Sequence, residues 1–89
     1  MKQLVKVQEI EGEGFMALMG QTVTLFCMNY IYAGTLVGVN EEYIKLENGH
    51  IVYETGAFNQ PDFKDAQKVS DELYIIKSSI ESFSVGKKL

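Results

Sequence analysis

The sequence has little of the chemistry on which metal sites and covalent catalysis depend. It contains one cysteine, Cys27, and one histidine, His50, in 89 residues. A single cysteine excludes an internal disulfide, and metal sites or nucleophile–base pairs need several such groups. The alternate positions near Cys27, Val23 and Leu25, are apolar, which predicts that Cys27 is a small core residue. We therefore expect no enzyme activity, no metal and no other cofactor.

Basic residues and proline are also scarce. The chain has 8 basic and 12 acidic residues, a net charge of -4, and one proline. With 46% hydrophobic residues it has the composition of a globular protein and not of a disordered one. Net acidity is the opposite of the charge that a duplex-DNA binder carries. Any contact with nucleic acid must therefore be local.

Long hydrophobic runs are absent as well. Residues 14–40 carry no formal charge, but the longest apolar run among them is Phe15–Met19, and glycine, threonine and asparagine interrupt the rest. The second half is rich in β-branched and aromatic residues, which favours buried strands over a membrane-spanning helix. The first ten residues contain no apolar run fit for a signal peptide, and Cys27 is typical of a reducing compartment. We expect a cytoplasmic protein with no membrane contact.

The length permits one domain, residues 1–89. A domain of this size buries only about 60% of its unfolded surface and is marginally stable alone. Without a disulfide, self-association is the expected source of further stability, which predicts a homo-oligomer.

The order of short apolar segments predicts a mostly β protein. Residues 3–10 fit a strand or the start of a helix, and Phe15–Met19 fits a short helical turn. Residues 22–28 and 30–39 read as strands joined at Asn29, and Gly34 and Gly38 in the second indicate a bend. Residues 43–54 are either a tight hairpin with its turn at Asn48-Gly49 or one long strand with a bulge there.

The second half of the chain contains the long connection and the last strands. Residues 56–72 are predicted to be a long variable loop, with a helical turn starting at Pro61. Residues 73–77 and 80–85 are the remaining strand candidates, followed by a basic tail at 86–89. The sum is a small five-stranded antiparallel barrel with a short N-terminal helical turn.

This order of parts resembles the Sm/LSm family from about Phe15 to Val85. The stretch Tyr32-Ala33-Gly34-Thr35-Leu36-Val37-Gly38-Val39-Asn40-Glu41-Glu42-Tyr43-Ile44-Lys45-Leu46 is similar to the family's first motif. Asn40 stands where aspartate is usual, and Ile44 where a base-reading asparagine is usual. The stretch Ile76-Lys77-Ser78-Ser79-Ile80-Glu81-Ser82 is similar to the second motif in its bacterial, Hfq form, with the lysine kept and the histidine replaced by Ser78.

The resemblance implies a strongly bent barrel of the Sm-like, SH3-like class that closes into a homo-oligomeric ring by pairing of strands four and five. It also implies binding of single-stranded RNA or DNA at the pore, with a role in RNA processing or metabolism. Asn40 would be a polar contact, Tyr43 a stacking platform, and Lys77 with Ser78 contacts to phosphate or base. Tyr43 fits equally a barrel-rim aromatic, and Lys77 a solvated strand end.

A second function remains open at this point. Glu41 and Glu42 would place negative charge beside the proposed site in every subunit of a ring. Net acidity favours an oligomeric structural or protein-interaction module that binds no nucleic acid. In that alternative, residues 56–72 would be the contact surface.

Overall fold

The computed structural model describes residues 14–89, so the prediction for residues 3–10 lies outside the described part. A 3-10 turn at Met16–Leu18 precedes five strands, and a second 3-10 turn at Lys77–Ser79 separates the last two. The strands are β1 (Thr22–Cys27), β2 (Ile31–Val39), β3 (Tyr43–Glu54), β4 (Asp65–Ile76) and β5 (Ile80–Val85). All pair antiparallel in one sheet of order β4-β3-β2-β1-β5.

The main hydrophobic cluster lies on one face of this sheet, because apolar residues recur at alternate positions of its strands. Val23 and Leu25 of β1, and Ile44 and Leu46 of β3, are fully buried. Leu36 and Ile75 complete the cluster, and partly buried residues of the first 3-10 turn and its neighbour pack against it. Side chains two apart on a strand point to the same face, so the alternation selects which face is buried. Removing one of the buried leucines would cost about 2–5 kcal/mol of stability.

The register of strand pairing shifts at adjacent positions in three neighbouring strands, β2, β3 and β4. The pairing of β2 with β3 shifts around Gly34, and the pairing of β3 with β4 shifts at Gly49. Asn48 has a positive φ of 54°, which asparagine tolerates better than most residues. Residues 43–54 form one strand, so the bulge is the correct reading of Asn48-Gly49 and the hairpin is wrong. Bulges increase local twist and bend a strand.

The predicted loop at residues 56–72 is too long. Strand β4 begins at Asp65 and pairs with β3 over its whole length, so the connection covers residues 55–64. No helix starts at Pro61; instead Asp62 forms an isolated bridge with Lys88 of the tail. Residues 65–72 have the polar composition of a loop. They nevertheless form part of an edge strand, whose polar side chains are exposed to solvent and whose backbone forms hydrogen bonds with β3.

The sheet of the single chain is open rather than closed. Strands β4 and β5 are its two edges and do not pair with each other in the described part of the chain. The mostly β class, with five antiparallel strands and short helical turns, is confirmed. Within residues 14–89, no helix has the length and apolarity needed to cross a membrane.

Candidate nucleic-acid interface

The turn between β2 and β3 is organised by the side chain of Asn40. Its Oδ1 accepts hydrogen bonds from the backbone N–H of Glu42 at 2.8 Å and of Tyr43 at 2.9 Å. The backbone N–H of Asn40 also donates to the Tyr43 carbonyl at 3.0 Å. A short side-chain oxygen that caps backbone donors ahead of it is a common turn device, and aspartate would serve equally well. Asn40 thus shapes the turn with its oxygen.

Tyr43 begins β3 and lies against a second tyrosine. The rings of Tyr43 and Tyr74 meet edge to face with their centroids 5.3 Å apart. The ammonium of Lys45 lies 5.7 Å from the Tyr74 ring centre and 2.9 Å from a carboxylate oxygen of Glu72. The hydrogen bond to Glu72, with its negative charge, raises the pKa of Lys45. Tyr43 is 36% exposed, so part of its ring is accessible to a stacking partner.

Lys77 and Ser78 lie in the second 3-10 turn, which contacts the Asn40 turn directly. The backbone N–H of Lys77 donates to the Glu42 carbonyl at 2.8 Å, and Ile76 is the register partner of Tyr43. Two segments more than thirty residues apart in the sequence therefore meet at one edge of the sheet. The backbone contact brings together the two segments that hold the four residues the sequence singled out; the side chain of Tyr43 contacts Tyr74, that of Lys77 contacts Phe15, and Ser78 is exposed.

The side chain of Lys77 is not simply solvated. Its ammonium lies 5.9 Å from the ring centre of Phe15, and the Phe15 ring stacks on Phe83 with a centroid distance of 4.2 Å. Attraction between an ammonium and an aromatic face is worth about 0.5–1 kcal/mol at an exposed site. Neither this support nor the position of Tyr74 beside Tyr43 was predicted from the sequence. For Tyr74, the available signal in the sequence was its outward position in the alternating pattern of β4. For Phe15, the sequence held no such signal.

Ile44 occupies the position at which the resemblance expects a base-reading asparagine. Its side chain is fully buried in the core cluster. It therefore contributes to stability and cannot contact a bound base.

Local charge at this edge is mixed. Glu41 and Glu42 are exposed in the same turn as Asn40. Three other lysines of the described chain pair with carboxylates, namely Lys45 with Glu72, Lys64 with Glu54 and Lys68 with Asp71. Lys77 has no carboxylate within ion-pair distance among residues 14–89, so it is the cation with which this edge can attract a phosphate.

Cys27 lies at the end of β1, partly buried against the core and not within it. Burial raises the pKa of its thiol; a hydrogen bond with Ser79 opposes this rise, and the charge of Glu81 adds to it. At neutral pH the group is therefore a thiol, which is a weak nucleophile. Its position supports the expectation of a packing role, although the burial is only partial.

No protein-family model matches this chain, and no curated protein matches it.

Proposed function

We propose that this protein forms a closed homo-oligomeric ring of the Sm-like kind and binds single-stranded RNA in the cytoplasm. The RNA surface consists of Asn40, Tyr43, Lys77 and Ser78. The observation that carries the proposal is the hydrogen bond from Lys77 to the Glu42 carbonyl, because it joins the two segments that hold these residues. Tyr43, whose ring is partly exposed, and Lys77, which has no carboxylate within ion-pair distance among residues 14–89, lie on the two segments that this bond joins.

The two open edges of the sheet support the assembly. β4 exposes Val69, Tyr74 and Ile76, and β5 exposes Phe83 and Val85. An exposed strand edge with apolar side chains is a template for pairing with another chain. Pairing β4 of one subunit with β5 of the next would cover both edges, and repetition of this contact around an axis closes a ring.

The chemistry of the surface favours RNA without base preference. Stacking on an aromatic side chain tolerates any base and is worth about 1–3 kcal/mol per base. The buried Ile44 cannot read base edges, so discrimination between bases is expected to be weak. Glu41 and Glu42 repel phosphate, so binding depends on Lys77 and falls as salt rises.

Fluorescence anisotropy with labelled oligo-U and oligo-A at low salt tests this surface. The unchanged protein is expected to bind both RNAs with similar affinity. Tyr43→Ala is expected to weaken binding by about 5- to 150-fold, which corresponds to the loss of one stacked base. Lys77→Ala is expected to weaken binding and to reduce the dependence on log salt by about one unit.

Two variants outside the surface serve as controls. Tyr53→Ala removes an exposed tyrosine from the same strand as Tyr43, and Lys88→Ala removes an exposed lysine of the tail. Both are expected to bind RNA as the unchanged protein does. Equal RNA binding by all four variants would show that RNA binds elsewhere on the protein. No RNA binding by the unchanged protein at low salt would contradict the proposed function itself.

One observation favours the second candidate, an oligomeric structural or protein-interaction module. The chain carries a net charge of -4, and two of its carboxylates flank the proposed RNA surface. In this case the ring would form and RNA would not bind. The anisotropy titration, with ring formation measured in parallel, separates the two candidates.

A further inference from the structure

A cavity of about 340 Å³ lies outside the RNA surface and the core. It is partly open to solvent and lies between β1 and β5 on one side and loop 55–64 on the other. Its wall contains three phenylalanine rings, from Phe26 of β1 and from Phe58 and Phe63 of the loop. Phe26 and Phe58 are tilted towards each other with centroids 6.4 Å apart. None of the four proposed RNA-binding residues lines this cavity.

The loop that covers the cavity is organised around the ammonium of Lys87. The Nζ atom lies 3.0 Å from the carbonyl oxygens of Thr55, Ala57 and Gln60 and 3.1 Å from that of Asp62. An ammonium has three protons, so the four carbonyls satisfy it completely. The ring centre of Phe63 lies 5.5 Å from the same atom. Lys87 is thus the cation around which the loop folds.

The lining determines which molecules the cavity can accept. No carboxylate of residues 14–89 contributes to the wall, so none of the described groups would pair with a cationic ligand. Among the described lining residues the cation is Lys87, and backbone carbonyls already engage all its protons, so an anionic ligand would have to displace them. The remaining polar groups are the hydroxyls of Thr24, Thr55 and Ser84. A mostly apolar wall with a few hydrogen-bonding groups is the usual composition of a small-molecule site, and the volume is at the lower end of the usual range.

We propose that this cavity, the Phe pocket, binds a neutral aromatic molecule of one or two rings that carries a single hydrogen-bonding group. Lys87 is a positioning residue for the Phe pocket, because its ammonium holds loop 55–64 over β1 and β5. The backbone N–H of Lys88 adds a hydrogen bond of 2.7 Å to the Pro61 carbonyl, which fixes the same loop to the tail. The proposal does not depend on RNA binding.

Indole is a suitable probe because it is neutral, has two rings and one N–H donor, and the protein contains no tryptophan. Titration of the isotope-labelled full chain, followed by amide chemical shifts, is expected to show saturable changes at Phe26, Phe63 and Ser84. Tryptamine and indole-3-acetate carry the same rings with a positive and a negative charge. Each is expected to bind at least about tenfold more weakly than indole.

Two variants test the aromatic wall of the Phe pocket and the hydrogen bonds from Lys87 to loop 55–64. Phe58→Ala removes a ring that is 75% exposed, so the fold does not depend on it, and is expected to weaken indole binding by about fivefold or more. Lys87→Met keeps the length of the side chain but removes the ammonium, and is expected to weaken binding about tenfold and to shift the amides of loop 55–64. Lys88→Met and Tyr53→Ala are the matched controls, with binding unchanged.

Three results would overturn the proposal. The first is the absence of saturable shifts with indole up to its solubility limit. The second is equal indole binding by the unchanged protein, Phe58→Ala and Lys87→Met. The third is a response of the Phe pocket amides to oligo-A or oligo-U but not to indole, which would assign the pocket to nucleic acid.

Discussion

Replacing Gly34 with valine is expected to lower the free energy of unfolding by about 2–4 kcal/mol. Gly34 is buried in β2, and a Cβ atom there would lie 2.9 Å from the carbonyl oxygen of Glu47 and 3.0 Å from the Cβ of Leu46. Neither atom can move away by a side-chain rotation, because one belongs to the backbone and the other is attached to it. The strands would have to separate or β2 would have to flatten.

Gly38→Val is the matched control for this substitution. Gly38 lies in the same strand, and a Cβ there would approach only the side chain of Lys45, at 3.3 Å. Thermal and urea unfolding of both variants should be compared at equal protein concentration, because assembly adds to apparent stability. A Gly34→Val protein that unfolds like the unchanged one would show that close approach at this bend is not required.

The second large effect is expected from Ile76→Asp, which should convert the assembly to a species of about 10.0 kDa. Ile76 lies on the edge strand β4 and is 56% exposed, so an aspartate there would not disturb the core. In the proposed ring this side chain is close to the neighbouring subunit. An unpaired carboxylate at such a contact loses its hydration without a compensating partner, which opposes assembly.

Tyr53→Asp is the control for the loss of an exposed apolar side chain. Tyr53 is also 56% exposed, but it lies on the inner strand β3. The Tyr53→Asp variant should have the same mass by sedimentation as the unchanged protein. Dissociation by both variants would show that general surface charge, and not the β4 edge, controls assembly.

Most strands could be predicted from the sequence because local signals agree there. In β1, Val23 and Leu25 alternate with Thr22 and Thr24, which identifies the strand, and both apolar side chains are fully buried in the core cluster. Gly34 was predicted as a bend, and the shift in pairing around it agrees with this. The Asn48-Gly49 pair was ambiguous because an Asn-Gly sequence permits a positive φ in either a hairpin turn or a bulge. The pairing of β2 and of β4 with both halves of β3 decides between them.

The start of β4 could not be predicted, because its first eight residues are mostly polar. As an edge strand it obtains its backbone hydrogen bonds from β3 and needs few apolar side chains. The hydrogen bonds of Lys87 could not be predicted from the sequence for a different reason. Its four carbonyl partners lie 25 to 32 residues earlier in the chain, and backbone oxygens have no residue-type signal. The sequence therefore predicted a basic tail where the structure has a partly exposed set of hydrogen bonds from Lys87 to loop 55–64.

The candidate RNA surface came from the resemblance and not from residue chemistry alone. Asn40 and Tyr43 are close in the sequence, but their proximity to Lys77 and Ser78 depends on the pairing of β3 with β4. The aromatic support of Lys77 by Phe15 is a tertiary contact between the residue before the first 3-10 turn and the second 3-10 turn. Neither local pattern nor composition carries information about it.

Sedimentation velocity of the unchanged protein with a labelled oligo-U at low salt tests the central proposal most directly. The protein at micromolar concentration is expected to sediment as a single species several times its chain mass of 10.0 kDa. The labelled RNA is expected to move with that species. A protein that sediments at the mass of one chain, or an RNA that sediments alone beside an intact assembly, would contradict the proposal of a ring that binds single-stranded RNA.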